Sequence, residues 1–428
     1  MTSHSGIASP AWVAEDQDRT PYHHAMLRLA GPVLLLAVFL APYVVWRVLP
    51  PYLFTFSDAL FCLAAVLLLA GRGIAVRPLQ GWWAIWMLGL SGLLLGFFIG
   101  SLVNGDPLRW VIVAGQYGFA FALLPALLLR ERRRSLVLAA IALVAGVAAM
   151  ELFGSIVYYS TGGSYAQAKQ FGFEFVTGAH RLGAFMADAN WNAAMIAMTT
   201  PFVLYLARIR RMSTIAAFAI LGILCSGLLL SGSFTGFASA AIGILAFLFL
   251  DWGKRSIGML LGIVALASVM LATGVGLPTA FQNRVAVALE QGDINRAGTF
   301  SGRMELVKEA WEIVGDTTLV GLGVDQYRVV SVDRAPVHNI YLLAWAEGGV
   351  LSLLGWLIMM FVPLSIAVRR FAADRAAGAL VIAVTLPFLI FSNAAPHMYA
   401  RSWVVPLILA LGIALTRPPA SRVSARRS

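Results

Sequence analysis

His338 stands in the run Ala335-Pro336-Val337-His338-Asn339, where a long polar segment gives way to an apolar one. An imidazole whose ordinary pKa is near 6.5 is neutral at physiological pH, and at such a junction it can take a proton from an incoming hydroxyl. An interfacial histidine with no chemical task would occupy the same place. The polar segment before it carries Arg284, Arg296, Arg303, Lys308, Arg328 and Arg334, outnumbered by acidic residues, so it forms no general basic patch. Guanidinium forks match phosphate oxygens, and two or three of them, singled out by geometry, could neutralise a diphosphate leaving group without metal. Pairing with Glu305, Glu309, Glu312 or Asp316 is the competing fate of each cation.

A second polar segment closes with His180-Arg181-Leu182-Gly183 and runs on to Asp188-Ala189-Asn190. Arg181 thereby falls just outside the apolar span that follows, and Asn190 just within it. Asn190 and Asn192 are costly in hydrocarbon unless they line a polar cavity. Glu347, Asp58 and Glu151 also sit near outer helix ends, where carboxylates commonly act as anchors or helix N-terminal charges. There is no Gly-rich nucleotide loop, no His/Cys metal spacing and no paired aspartate in residues 47–55, so neither a metal site nor a cofactor is expected.

The elements that must position these residues are apolar. The 428 residues are 60% hydrophobic and 12% charged, and runs of about 20 apolar residues, enough to cross ~30 Å of hydrocarbon, recur along the chain. The expected fold is all-α and polytopic, with about twelve transmembrane helices near 27–46, 55–71, 82–103, 108–129, 135–156, 186–206, 213–230, 233–250, 256–277, 338–368, 376–393 and 402–416. Alternate connectors are rich in arginine, as in Arg130-Glu131-Arg132-Arg133-Arg134 and Arg208-Ile209-Arg210-Arg211. Lys and Arg are retained on the cytoplasmic side, so both termini are expected inside, and the charge of +11 records insertion rather than affinity for nucleic acid. The first span, from near Leu27, reads as a retained signal anchor. Cys62 and Cys225 fall within spans and offer no disulfide framework.

Two outward segments are long enough to hold a site, residues 157–185 and 278–337. Met304, Val307, Trp311 and Val314 suggest an apolar helical stripe in the second, with Ser301 as its cap. The span from His338 is too long for the bilayer, so its first turns must project, tilt or break at Gly348-Gly349. On that helix His338, Tyr341 and Trp345 are expected to share a face.

Three stretches carry a resemblance to the O-antigen ligase and polymerase superfamily of bacterial inner-membrane glycosyltransferases. They are Leu230-Ser231-Gly232-Ser233-Phe234-Thr235-Gly236; Ser301-Gly302-Arg303 through Trp311 to Gly321-Leu322-Gly323; and His338-Asn339-Ile340-Tyr341 followed by Glu347-Gly348-Gly349. The chain departs from the pattern at Phe234, Thr318 and Ser352, where relatives often have Arg, Pro and Gly. The resemblance implies a GT-C-like fold of twelve helices with a long, partly helical periplasmic loop. It divides the chain into a cytoplasmic tail (1–26), helices one to five with the first periplasmic loop (27–184), a ligase-like core (185–365) containing the loop 278–337, C-terminal helices (366–416) and a basic tail (417–428).

It further implies a metal- and nucleotide-independent transfer of a glycan from undecaprenyl diphosphate to an acceptor hydroxyl on the periplasmic face. His338 would be the general base and Arg181, Arg284 and Arg303 the diphosphate ligands, supported by Asn190, Asn339, Tyr341 and Glu347. The favoured acceptor is lipid A core, in lipopolysaccharide biosynthesis. Polymerisation onto the next lipid-linked repeat, transfer to an exported protein, and flipping of a lipid-linked sugar remain open at this stage. A flippase would be expected to show inverted repeats and matched broken helices, which the sequence does not display.

Overall fold

The computed structural model describes residues 20–49, 53–130, 132–171, 175–253, 257–258, 262, 281, 292, 300–396 and 398–416. The chain is mostly helical. In order, the long helices are α1 (Pro21–Leu40), α2 (Phe56–Ala70), α3 (Trp83–Asn104), α4 (Pro107–Gly118), α5 (Arg133–Ser160), α6 (Ala189–Arg208), α7 (Thr214–Ser231) and α8 (Phe234–Leu250). They are followed by α9 (Phe300–Asp316), α10 (Ile340–Phe371), α11 (Arg375–Ser392) and α12 (Arg401–Leu415). A helix thus stands at eleven of the twelve expected span positions, and the twelfth, 256–277, lies almost entirely outside the described residues.

Among the described residues, seven stretches are long and apolar enough to cross a membrane: α1, α3, α4 with its continuation to Leu128, α5, α7, α10 and α11. The apolar helices α2, α8 and α12 are shorter. The protein is therefore a polytopic membrane protein. Two small antiparallel ladders, Arg47–Leu49 with Phe54–Thr55 and Val176–Thr177 with Arg181–Leu182, add strand pairing that hydropathy did not suggest.

Local chemistry fixes where the helices begin. Thr55 and Asp58 form a reciprocal capping box at α2, with the Asp58 amide reaching the Thr55 hydroxyl at 3.2 Å and the Thr55 amide reaching Asp58 Oδ2 at 2.8 Å. Asp188, Ser213, Ser233, Asn339 and Asp374 cap α6, α7, α8, α10 and α11. Pro125 has no N–H to give the Phe121 carbonyl one turn back, and the α4 continuation widens to a π turn over Phe119–Leu123. Trp86 Nε1 from α3 donates to that carbonyl at 2.7 Å.

The most extensively packed pair is α3 against α10, which run antiparallel. Small residues make the close approach possible: a Cβ on Gly89 would stand 2.7 Å from the Gly355 carbonyl, and one on Gly96 would stand 2.5 Å from that of Gly348. In a membrane such small-residue seams replace the hydrophobic drive available in water. Ser352, where relatives often have Gly, fits the seam by donating its hydroxyl to the Leu93 carbonyl at 2.7 Å. α10 breaks at Gly349, whose φ of 67° and ψ of −174° interrupt the helix at the expected place.

Helix α9 lies against the first turns of α10, burying Leu306, Ala310 and Val314 with Tyr327, Val337, Leu342, Leu343 and Ala346. The expected stripe is corrected here: Met304 and Trp311 face outward, 56% and 55% exposed, and Leu306 and Ala310 take the buried side with Val314. Trp311 is apolar yet superficial because its ring packs edge-on against Trp345, with centroids 5.7 Å apart. The helix already runs at Phe300, so Ser301 lies inside its first turn rather than at the cap.

Candidate active site at the capped ends of three helices

Arg181 belongs to the short strand Arg181–Leu182, which pairs with Val176–Thr177 and brings the side chain inward. It is 9% exposed. Its Nε donates to the Ser231 carbonyl at 2.7 Å and its Nη2 to Asn190 Oδ1 at 2.8 Å. Ser233 Oγ donates to the same Asn190 oxygen at 3.1 Å. Ser231 ends α7, Gly232 turns the chain with a φ of 55°, and Ser233 starts α8, so one tight corner supplies both contacts. Phe234, standing where a cation was expected from the resemblance, packs against Leu229 and Phe281.

Asn190 lies in the first turn of α6, whose cap is Asp188. Asp188 Oδ1 accepts from the Asn190 and Trp191 amides at 2.8 and 2.9 Å. The Asp188 carboxylate is also close enough to His338 to favour the imidazolium electrostatically. His338 is thereby linked to the Arg181 network through the start of one helix.

His338 precedes Asn339, the cap of α10, so it is not on the helix itself. Asn339 Oδ1 accepts from the Tyr341 and Leu342 amides at 2.9 and 3.1 Å, and its Nδ2 donates to Asn393 at 3.3 Å. The expected shared face of His338, Tyr341 and Trp345 is corrected accordingly. Tyr341 faces Ser392 and Trp356, and Trp345 Nε1 reaches the Thr318 carbonyl at 3.2 Å.

The His338 imidazole is held below its ordinary pKa of 6.5, first by burial and then by the positive charge of Arg303. Asp188 and a hydrogen bond to the Ala394 backbone oppose that shift without cancelling it. A neutral imidazole keeps one ring nitrogen as a proton acceptor. A half-buried, neutral imidazole beside guanidinium charge can remove a proton while anionic charge develops nearby.

The structure gathers Arg181, Asn190, Arg303, His338 and Asn339 at this end of the bundle. Arg284 lies outside the described residues. Glu347 is placed elsewhere: its Oε1 accepts from the Tyr327 amide at 3.3 Å, while the Ala346 and Glu347 carbonyls receive the Leu322 and Gly323 amides, both at 2.9 Å. It therefore secures the Gly-x-Gly turn that follows α9. Three contributors were not assigned a part from the sequence. Asp188 was signalled only by its cap pattern, Ser233 by its place after the glycine corner, and Ala394 by nothing local.

Residues 219–357 match the family model described as O-Antigen ligase. The matched stretch holds Ser231, Ser233, Arg303, His338, Asn339, Tyr341 and Glu347 and begins after Arg181 and Asn190. No curated protein matches the chain.

Proposed function

From the O-antigen ligase domain at residues 219–357, which places this chain in the O-antigen ligase superfamily, we propose that it transfers a glycan from undecaprenyl diphosphate to an acceptor hydroxyl. The observation that carries the reading is the convergence of His338, Arg303 and the Arg181–Asn190–Asp188 network at one end of the bundle. His338 takes the acceptor's hydroxyl proton as that oxygen bonds to the anomeric carbon. The bond from that carbon to the diphosphate oxygen breaks, and its electron pair leaves with the diphosphate. Attack from the side opposite the departing group inverts the anomeric centre. Arg181 and Arg303 neutralise the charge that develops on the phosphates, and no metal is required for that task.

The orientation follows from charge. Arg133, Arg208, Arg370 and Arg375 lie at the ends of α5, α6, α10 and α11 remote from His338. Retention of basic residues in the cytoplasm then puts His338 on the periplasmic face of the inner membrane. Ligation to lipid A core is the favoured outcome, and polymerisation would use the same donor chemistry.

The test combines lipid-linked glycan, lipid A core and the purified protein in vesicles. The wild type is expected to attach glycan to core, and His338→Ala to lose about 100-fold or more in rate. An unchanged rate in that variant would remove His338 as the base. Products consisting only of lengthened lipid-linked glycan would identify a polymerase.

A further inference from the structure

At the opposite end of the bundle from His338, the ends of α5, α6, α8 and α11 enclose a cavity of about 900 Å³. The 20 residues of α6 separate the two regions by roughly 30 Å at 1.5 Å per residue. The cavity wall holds six arginines and two aspartates. Both carboxylates are already engaged: Asp374 receives Arg133 Nη2 at 2.5 Å and caps α11 through the Ala377 amide, and Asp251 receives Arg208 Nε at 2.6 Å. Arg133 also donates to the Tyr205 hydroxyl at 2.8 Å, which fixes it as part of the frame. Arg132, Arg134 and Arg211 are exposed, and among the described residues none forms an ion pair with them.

The rest of the wall is apolar. Val137, Leu138 and Ile141 extend it along α5, about 6 to 12 Å beyond Arg133 toward the middle of the helix. Leu138 is 45% exposed, so this side opens outward from the bundle. A soluble anion would have no use for that strip, whereas an amphiphile would meet guanidinium groups with its head and leucine and isoleucine with its chains.

We propose that this cavity binds the phosphate headgroup of an anionic phospholipid, with Arg132, Arg134 and Arg211 as its phosphate ligands. Basic pockets between transmembrane helices at the cytoplasmic surface suit such headgroups, and each added arginine there strengthens the attraction. The proposal is independent of the glycan chemistry, because none of these side chains reaches the His338 end.

Native mass spectrometry of the delipidated full-length protein tests it, with cardiolipin, phosphatidylglycerol, phosphatidylcholine and inorganic pyrophosphate as separate probes. The wild type is expected to hold the two anionic lipids at least 10-fold more tightly than phosphatidylcholine. R132Q/R134Q/R211Q should weaken them by on the order of 100-fold and leave phosphatidylcholine unchanged, and Arg211→Gln alone should weaken them by about 5-fold. Equal affinity for the charged and zwitterionic lipids, or unchanged affinity in both variants, would overturn the proposal. Pyrophosphate binding as tightly as the lipids with the same arginine dependence would overturn it in favour of a soluble anion.

Discussion

Arg181 and Asn190 are joined by an Nη2–Oδ1 hydrogen bond of 2.8 Å, and the same Asn190 oxygen accepts Ser233 Oγ at 3.1 Å. The guanidinium is thus aimed from two helices at once. Asn190→Ala should therefore disturb donor use without removing a charge. A hydrogen bond to a charged group contributes about 1.5–3 kcal/mol, so transfer at limiting donor should fall roughly 10- to 100-fold. Initial rates against lipid-linked glycan concentration check this, and a rate equal to wild type would separate Arg181 orientation from catalysis.

The pH profile follows from the charges around His338. The base must be neutral to act, and burial with Arg303 holds its pKa below 6.5. The rate should accordingly stay level through pH 6.5 and fall only as pH drops through the lowered value. Arg303→Gln removes a charge that disfavours imidazolium, so the acid limb should move upward. Rate profiles from pH 4.5 to 8 at saturating donor would show it, and a limb that moved downward or not at all would dissociate the two residues.

The spans and the Gly349 break were legible because each depends on a few neighbouring residues. Asp188, Ser233 and Asn339 announce helix starts by type alone. The meeting of Arg181 with Ser231, 50 residues away, depends on a strand pairing and a helix corner that hydropathy does not encode. On α9 the apolar pattern misled, because Trp311 finds its partner in Trp345 at the surface. Glu309 likewise had the look of a surface ion-pair partner, whereas its carboxylate holds Ser331 Oγ at 2.9 Å and the Val332 amide at 2.8 Å.

Asp58 and Arg401 form a buried pair, with side chains 1% and 6% exposed. Arg401 Nε reaches Asp58 Oδ1 at 2.9 Å and Nη2 reaches Oδ2 at 2.6 Å, tying the start of α2 to that of α12. Removing one partner leaves an unpaired buried charge, so Arg401→Ala should cost about 3–5 kcal/mol. Thermal unfolding of the detergent-solubilised protein should show a lower midpoint. Unchanged unfolding would mean that water or lipid headgroups reach Asp58.

Gly349 offers a test of how the break in α10 supports the site. Its φ of 67° is one that side-chain-bearing residues rarely adopt, and a Cβ there would stand 2.2 Å from the Leu319 carbonyl. The Val350 amide donates to the Thr318 carbonyl at 2.9 Å, so the segment after α9 is fastened to the break itself. Gly349→Ala should strain the backbone by about 1–3 kcal/mol and push that segment away. Since α9 carries Arg303 toward His338, the variant should lose transfer activity and shift the acid limb of the pH profile upward, as Arg303→Gln does. Loss of stability with an unmoved limb would confine Gly349 to packing and leave the position of Arg303 to the contacts between α9 and α10.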